Sequence, residues 1–206
     1  MSPAPTRRPR ARPRQDADRP LLHGLPPIEN ARARVLILGS MPGAASLAAA
    51  QYYAHPRNLF WPLLGAILGF DPGSAYALRV AALKRADIAL WDVIGRCRRS
   101  GSLDARIDPK SIVANDFAAF LDRHPRLHTV CFNGATAEAS WRRHVRPLLG
   151  ARELLTLRLP STSPANASIG YERKLAAWAA ALAGSEHASP LPARERQRGS
   201  PAGGRD

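Results

Sequence analysis

The chain is short of cysteine, of acidic residues and of long apolar runs, and each shortage excludes something. Two cysteines, Cys97 and Cys131, among 206 residues cannot build a disulfide framework. Nor can they supply the four thiolates an iron–sulfur cluster normally takes. They fit a reducing compartment, and a cytoplasmic location is expected. No apolar stretch reaches the roughly 18 residues that a membrane-spanning helix needs, so no membrane partner is expected. The first twenty residues, MSPAPTRRPRARPRQDADRP, contain no apolar segment of a secretory signal. The six histidines show neither HExxH spacing nor any pairing with the cysteines. No metal is therefore expected.

Sixteen acidic residues against thirty basic ones leave a net charge of +14. The excess does not sit only at one end. Residues 35–184 carry 18 basic and 10 acidic side chains, and residues 1–34 carry 8 and 3. A polyanion fits such a chain, nucleic acid first. A genome rich in Arg, Ala and Pro codons would give the same bias without any function, so charge by itself leaves the two explanations level.

Residues 1–20 are rich in Pro and Arg without hydrophobic periodicity and read as a disordered basic arm; residues 185–206 read as a disordered tail. Between them, residues 21–184 are expected to form one domain. Four apolar runs there have the length and composition of buried strands: Val35–Leu38, Ile88–Ile94, His128–Phe132 and Leu154–Leu159. Helical patterns separate them at Asn58–Gly69, Asp116–Arg123 and Ala135–Leu149, and a last one follows at Tyr171–Ala183. Alternation of this kind implies an α/β fold with three layers, a mostly parallel four-stranded sheet between helices. Its binding site should lie at the carboxyl ends of the strands. Phe60 and Trp61, at apolar spacing on the first helix, read as core.

The segments that follow the strands are the informative ones. Gly39-Ser40-Met41-Pro42-Gly43 makes a tight turn that can approach a ligand closely. Tyr52 and Tyr53 are either a stacking platform or a lid on the core. Asn58, just ahead of a helix, suits an N-cap. After the second strand, Arg96, Arg98 and Arg99 read as a basic cluster on a loop. Asn133-Gly134 is turn-like, and Pro160–Ser168 offers hydroxyls suited to phosphate or to ordinary turns.

Taken together, GSMPG at 39–43, YYAHPRNLFW at 52–61, LWDVI at 90–94, FNG at 132–134 and PSTSPAN at 160–166 resemble the uracil-DNA glycosylase superfamily. The combination is most similar to the branch of hypoxanthine-DNA glycosylases. The resemblance spans about residues 22–183. It implies a monofunctional hydrolase, without a cofactor, that excises deaminated bases, chiefly hypoxanthine, from double-stranded DNA in base-excision repair and leaves an abasic site. Uracil or thymine in mispairs is the alternative substrate, and a non-catalytic DNA-binding relative the alternative class. By the same resemblance Asn58 is the catalytic residue. Gly39, Ser40 and Met41 read the base through their backbone, Tyr53 stacks on it, and Asp92 and Asn133 offer hydrogen bonds. Ser161, Thr162, Ser163 and Asn166 contact DNA. The sequence departs from related branches at Met41, where an Asn or Asp that positions water would stand; a thioether cannot do that. No lysine (84, 110 and 174 are the only three) lies in these motifs to act as a lyase amine. A monomer is expected.

Overall fold

The strands Val35–Gly39 (β2) and Ile88–Asp92 (β3) are buried at every position, and Thr129–Asn133 (β6) at all but its last. Strands covered on both faces must be apolar throughout, which is why these runs carry no polar alternation. The structure is a computed structural model and describes residues 19–187. The arm expected over 1–20 and the tail over 185–206 lie outside those residues except at their inner ends.

With Leu155–Leu159 (β7) the three strands form a parallel sheet in the order β3-β2-β6-β7. Trp91, Leu38 and Phe132 stand in register across it and share one face. Trp91 packs on Phe117 and Phe120 of helix α4 (Phe117–Arg123), and Phe132 on Trp141 of α5 (Ala135–His144). The opposite face carries α2 (Phe60–Leu68) and α6 (Tyr171–His187), joined edge-to-face by Phe60 and Trp178. The expected three layers are therefore present. The strand order reverses between β2 and β6, so a crevice opens there beyond Gly39 and Asn133.

Three features differ from the sequence reading. The run Ile88–Ile94 is two strands, not one. Val93 and Ile94 donate to the carbonyls of Gly39 and Ser40, each at 2.9 Å, and turn the chain out of the parallel sheet. It continues as β4 (Ile94–Arg98), which pairs antiparallel with β1 (Leu21–His23) and β5 (Val113–Ala114). An unbroken apolar run carries no mark of this change of partner. Arg96 and Arg98 accordingly sit on a strand rather than a loop, and Arg99 is fully buried. The helix expected over 135–149 stops at His144 and continues as a single tight turn, Arg146–Leu148, where Pro147 lacks the N–H that a further helical turn would use. Helices α1 (Ala44–Ala49) and α3 (Tyr76–Arg85) add to the expected set.

Candidate active site

The carboxyl edge of the sheet borders a cavity of about 730 Å³. Gly39, Ser40, Met41, Tyr53, Asn58, Asp92, Asn133, Ser161, Thr162, Ser163 and Asn166 all line it. Residues up to 127 positions apart in the chain thus share one wall, because the register aligns Gly39 with Asp92 and Asn133 with Leu159.

The floor is built on a missing side chain. A Cβ on Gly39 would lie 2.1 Å from Asp92 Oδ1 and 3.1 Å from the Tyr53 hydroxyl. The Asp92 carboxyl and the Tyr53 hydroxyl therefore converge on the space Gly39 leaves open. Both are buried, and neither Asp92 Oδ2 nor Tyr53 Oη has a hydrogen-bond partner among the described residues. Burial pushes the Asp92 carboxyl up to about 8; Asp104 nearby pushes the same way and the Arg99 guanidinium opposes it. Burial, with Asp92 beside it, raises the Tyr53 hydroxyl too. A buried carboxyl oxygen without a partner is costly, and the Tyr53 hydroxyl has the Asn133 side chain beside it. Gly39→Ala is expected to destabilise the fold by about 3 kcal/mol through steric overlap alone, read as a lower urea midpoint at unchanged slope. Its backbone lies in a regular strand, so no left-handed conformation is at stake.

Tyr52 takes the core role of the two open to the pair. Tyr52 is core, its hydroxyl donating to the carbonyls of Leu25 and Pro26. Tyr53 has a left-handed backbone (φ 53°), and its ring lies 4.0 Å from that of Phe60 in a stacked pair. Phe60 thus covers one ring face, and the residue still borders the cavity.

The N-cap position of the helix that follows is Leu59, not Asn58; one residue earlier, Asn58 Oδ1 accepts from Phe60 N–H at 2.9 Å. An amide oxygen has two lone pairs, so one remains for the cavity. The adjacent Leu59 N–H donates to the Thr162 carbonyl at 3.0 Å, tying the first motif to the last. Thr162 is itself locked to Asn133 in both directions, Asn133 Nδ2 to its hydroxyl at 2.9 Å and its N–H to Asn133 Oδ1 at 2.8 Å. A side chain on Gly134 (φ 98°) would lie 2.8 Å from Ser161 Cβ, so this approach of β6 to the loop needs glycine. The loop braces itself further on. Asn166 donates to the Ser161 carbonyl, and its own carbonyl accepts from the buried Lys174 at 2.8 Å.

Met41 lies in a second small core with Ile94, Cys97 and Ile107. It borders the cavity at the turn, while its thioether is packed among apolar neighbours. The residues that sequence reasoning missed lie against the turn at 39–44: Ser102, Leu103 and Asp104 line the cavity, and the buried Arg99 is bonded to that turn. Asp104 Oδ2 accepts from the Ser40 hydroxyl, Ser102 Oγ accepts from Ala44 N–H at 3.1 Å, and Arg99 Nη2 donates to the Pro42 carbonyl. Burial raises the Asp104 carboxyl, and the Ser40 hydroxyl and Arg99 act against that. Arg57 and His55 lie at the rim.

A cavity at the switch point of a parallel sheet, floored by polar groups and edged by these motifs, defines a site for a base or nucleoside. The family model of the uracil DNA glycosylase superfamily matches residues 26–182, and the chain belongs to that superfamily. It is a DNA glycosylase by class, a hydrolase of N-glycosyl bonds. The chain is 41% identical over 160 residues to a hypoxanthine DNA glycosylase of Methanosarcina barkeri, covering 77% of this chain and 96% of that one. It is 36% identical over 152 residues to a hypoxanthine DNA glycosylase of Methanosarcina acetivorans, covering 73% and 92%. A solution NMR structure of a Methanosarcina acetivorans protein, provisionally assigned as a uracil DNA glycosylase, superposes with a TM-score of 0.68 at 35% identity and covers 81% of this chain and 99% of that one. Among the described residues, no helix is long and apolar enough to cross a membrane, and no group of three or more His, Cys, Asp or Glu is placed to hold a metal ion.

Proposed function

We propose that the protein excises hypoxanthine from double-stranded DNA by simple hydrolysis, acting as a monomer and leaving an abasic site. The observation that carries the reading is the buried Asp92 carboxyl at the end of β3, which borders the cavity and whose Oδ2 has no hydrogen-bond partner among the described residues. Deamination of adenine turns its Watson–Crick edge into a lactam, with an N1–H donor beside an O6 acceptor. A neutral Asp92 carboxyl presents one acceptor and one donor, and the Tyr53 hydroxyl adds a second donor, so the floor matches that edge. A cavity of about 730 Å³ has room for a purine.

The target nucleotide leaves the stack to reach this floor, at a cost of a few kcal/mol that is smallest for a deaminated, poorly paired base. In the chemical step the C1′–N9 bond breaks and its electron pair stays on the base. The sugar passes through a cationic form that adjacent phosphates stabilise, and a water oxygen bonds to C1′ as its proton leaves. The free lone pair of Asn58 Oδ1 holds that water, and strong base catalysis is not needed against so reactive a cation. Arg57, with Ser161, Ser163 and Asn166 on the facing rim, holds phosphates.

Uracil carries the same lactam, N3–H beside O4, so uracil in mispairs is the second reading. Labelled duplexes with one hypoxanthine, one uracil or one mismatched thymine, each cut by alkali after incubation, separate the two. Cleavage of the hypoxanthine duplex at least about tenfold faster than the others is expected from a floor fitted to the larger base. Preferred cleavage of uracil would reject hypoxanthine as the main substrate.

A further inference from the structure

Of the three lysines in the chain, one is buried. Lys174 is 1% exposed, although an ammonium is almost never taken fully out of water without a carboxylate to pair it. Among the described residues it makes no ion pair. Its one side-chain bond runs from Nζ to the Asn166 carbonyl at 2.8 Å. Burial lowers the ammonium from the ordinary lysine value, and no neighbouring charge acts against that. Lys174 is also the fourth residue of α6, in the first turn, where the helix dipole disfavours a cation. A neutral donor would make the same bond without these costs, so the free protein has no use for the charge.

The loop that Lys174 holds is the one that carries PSTSPAN and borders the cavity. Helix α6 grips it at both ends. One turn on from Lys174, the buried Trp178 donates from Nε1 to the Pro160 carbonyl at 3.0 Å. The carbonyls between are taken as well. Those of Ser161, Thr162 and Ser163 accept from Asn166 Nδ2, Leu59 N–H and Asn166 N–H. A loop whose carbonyls are occupied by the protein's own donors presents little that repels an anion. The bond to Lys174 does more. In a trans peptide the C=O and the N–H point opposite ways, and no peptide bond among the described residues is cis. Drawing the Asn166 carbonyl toward Lys174 therefore turns Ala167 N–H away from it. That N–H has no acceptor among the described residues.

We propose that Lys174 arms this loop for DNA: its ammonium fixes the Asn166–Ala167 peptide with the N–H outward and sets a positive charge behind it, against a phosphate of the duplex. This rests on the reading of the loop as one that holds phosphates. Lys174 is then a positioning residue, acting through the loop and touching no part of the DNA itself. A phosphate neutralised in this way releases its counterion, so the charge should show in the salt dependence of binding. A lysine that only braced the loop would leave that dependence as it is.

The test measures binding of the full-length protein to a duplex holding 2′-fluorodeoxyinosine, whose fluorine disfavours the cationic sugar and so blocks cleavage, over a range of salt concentrations. Lys174→Gln keeps a donor for the Asn166 carbonyl and loses the charge. Its slope of log affinity against log salt is expected to be shallower than wild type by about one, with affinity at low salt about tenfold weaker. Single-turnover release of hypoxanthine at saturating enzyme should stay within about threefold of wild type, since the reacting groups are untouched. Lys174→Met, uncharged and of equal length, should show the same change of slope, and Lys174→Arg should keep the wild-type slope. Lys84→Gln makes the same change of net charge at an exposed position ahead of β3 and should also keep it. An unchanged slope in Lys174→Gln and Lys174→Met would overturn the proposal and leave the lysine as a tether. An equal loss of slope in Lys84→Gln would overturn it too, because net charge alone would then account for the effect. Both of those outcomes leave the glycosylase reading intact. Wild-type binding that does not weaken with salt would instead remove the phosphate-holding loop, and this proposal with it.

Discussion

Asn58→Ala should lower the single-turnover rate of hypoxanthine release by about 100-fold or more, the usual cost of removing a group that acts only in the transition state. Binding of a duplex that cannot be cleaved should change by less than about threefold, since a rim of phosphate contacts carries the affinity. The test is complicated by the other duty of Asn58. Its Oδ1 also accepts from Phe60 N–H at the start of α2, and loss of such a hydrogen bond costs about 1 kcal/mol. Asn58→Ser separates the two duties, because a hydroxyl can still accept from Phe60 N–H but does not reach as far into the cavity. Asn58→Ser should match wild type in urea denaturation and match Asn58→Ala in its loss of rate. If Asn58→Ala cleaves at the wild-type rate, water is held by another group, and Asp104, which lines the cavity and is bonded to Ser40, becomes the one to examine.

The reach of the sequence can be judged from these same residues. The four parallel strands were legible because a strand buried on both sides must be a continuous apolar run, and the helices between them set its direction. That puts Gly39, Asn133 and the Ser161–Asn166 loop at one edge, whereas Asp92 falls inside the expected strand Ile88–Ile94 and reaches the site only through the resemblance. The wall of Arg99, Ser102, Leu103 and Asp104 was not legible. Its position depends on β4 leaving one sheet for another and pairing with strands about 75 residues before and 15 residues after it. Nothing local in Ile88–Ile94 marks that exit, and an arginine beside two others in sequence reads as solvated although Arg99 is buried. The double duty of Asn58 was visible as two separate possibilities. The bond to Phe60 N–H is present, and it leaves one lone pair of the same oxygen for the water-holding role proposed above. Met41 marks the opposite case. Its chemistry excluded it from holding water, and its packing against Ile94, Cys97 and Ile107 explains what the thioether does instead.

The cavity floor makes the second large prediction, on stability against pH. The unfolded Asp92 carboxyl ionises near its ordinary value of about 4, and in the folded protein burial pushes it up to about 8. Between those values the native state holds a proton that the unfolded state has lost. Stability therefore falls as pH rises from about 4 to 8 and levels off above the folded value. The full difference is on the order of 5 kcal/mol, and Asp104, also raised, adds to it in the same direction. Asp92→Asn replaces the carboxyl with an uncharged group of the same shape. Urea denaturation at pH 5, 7 and 9 should show wild type losing several kcal/mol across the range and the variant losing far less. The same proton bears on the reaction. A neutral Asp92 offers the donor and acceptor a lactam needs, and an ionised one offers acceptors only, against O6. Wild-type cleavage of hypoxanthine should decline above about pH 8, with no such decline in Asp92→Asn. Parallel stability profiles for the two proteins would mean that water reaches the floor and the carboxyl ionises normally, and the lactam would then have to be read by the Tyr53 hydroxyl and the backbone of the turn.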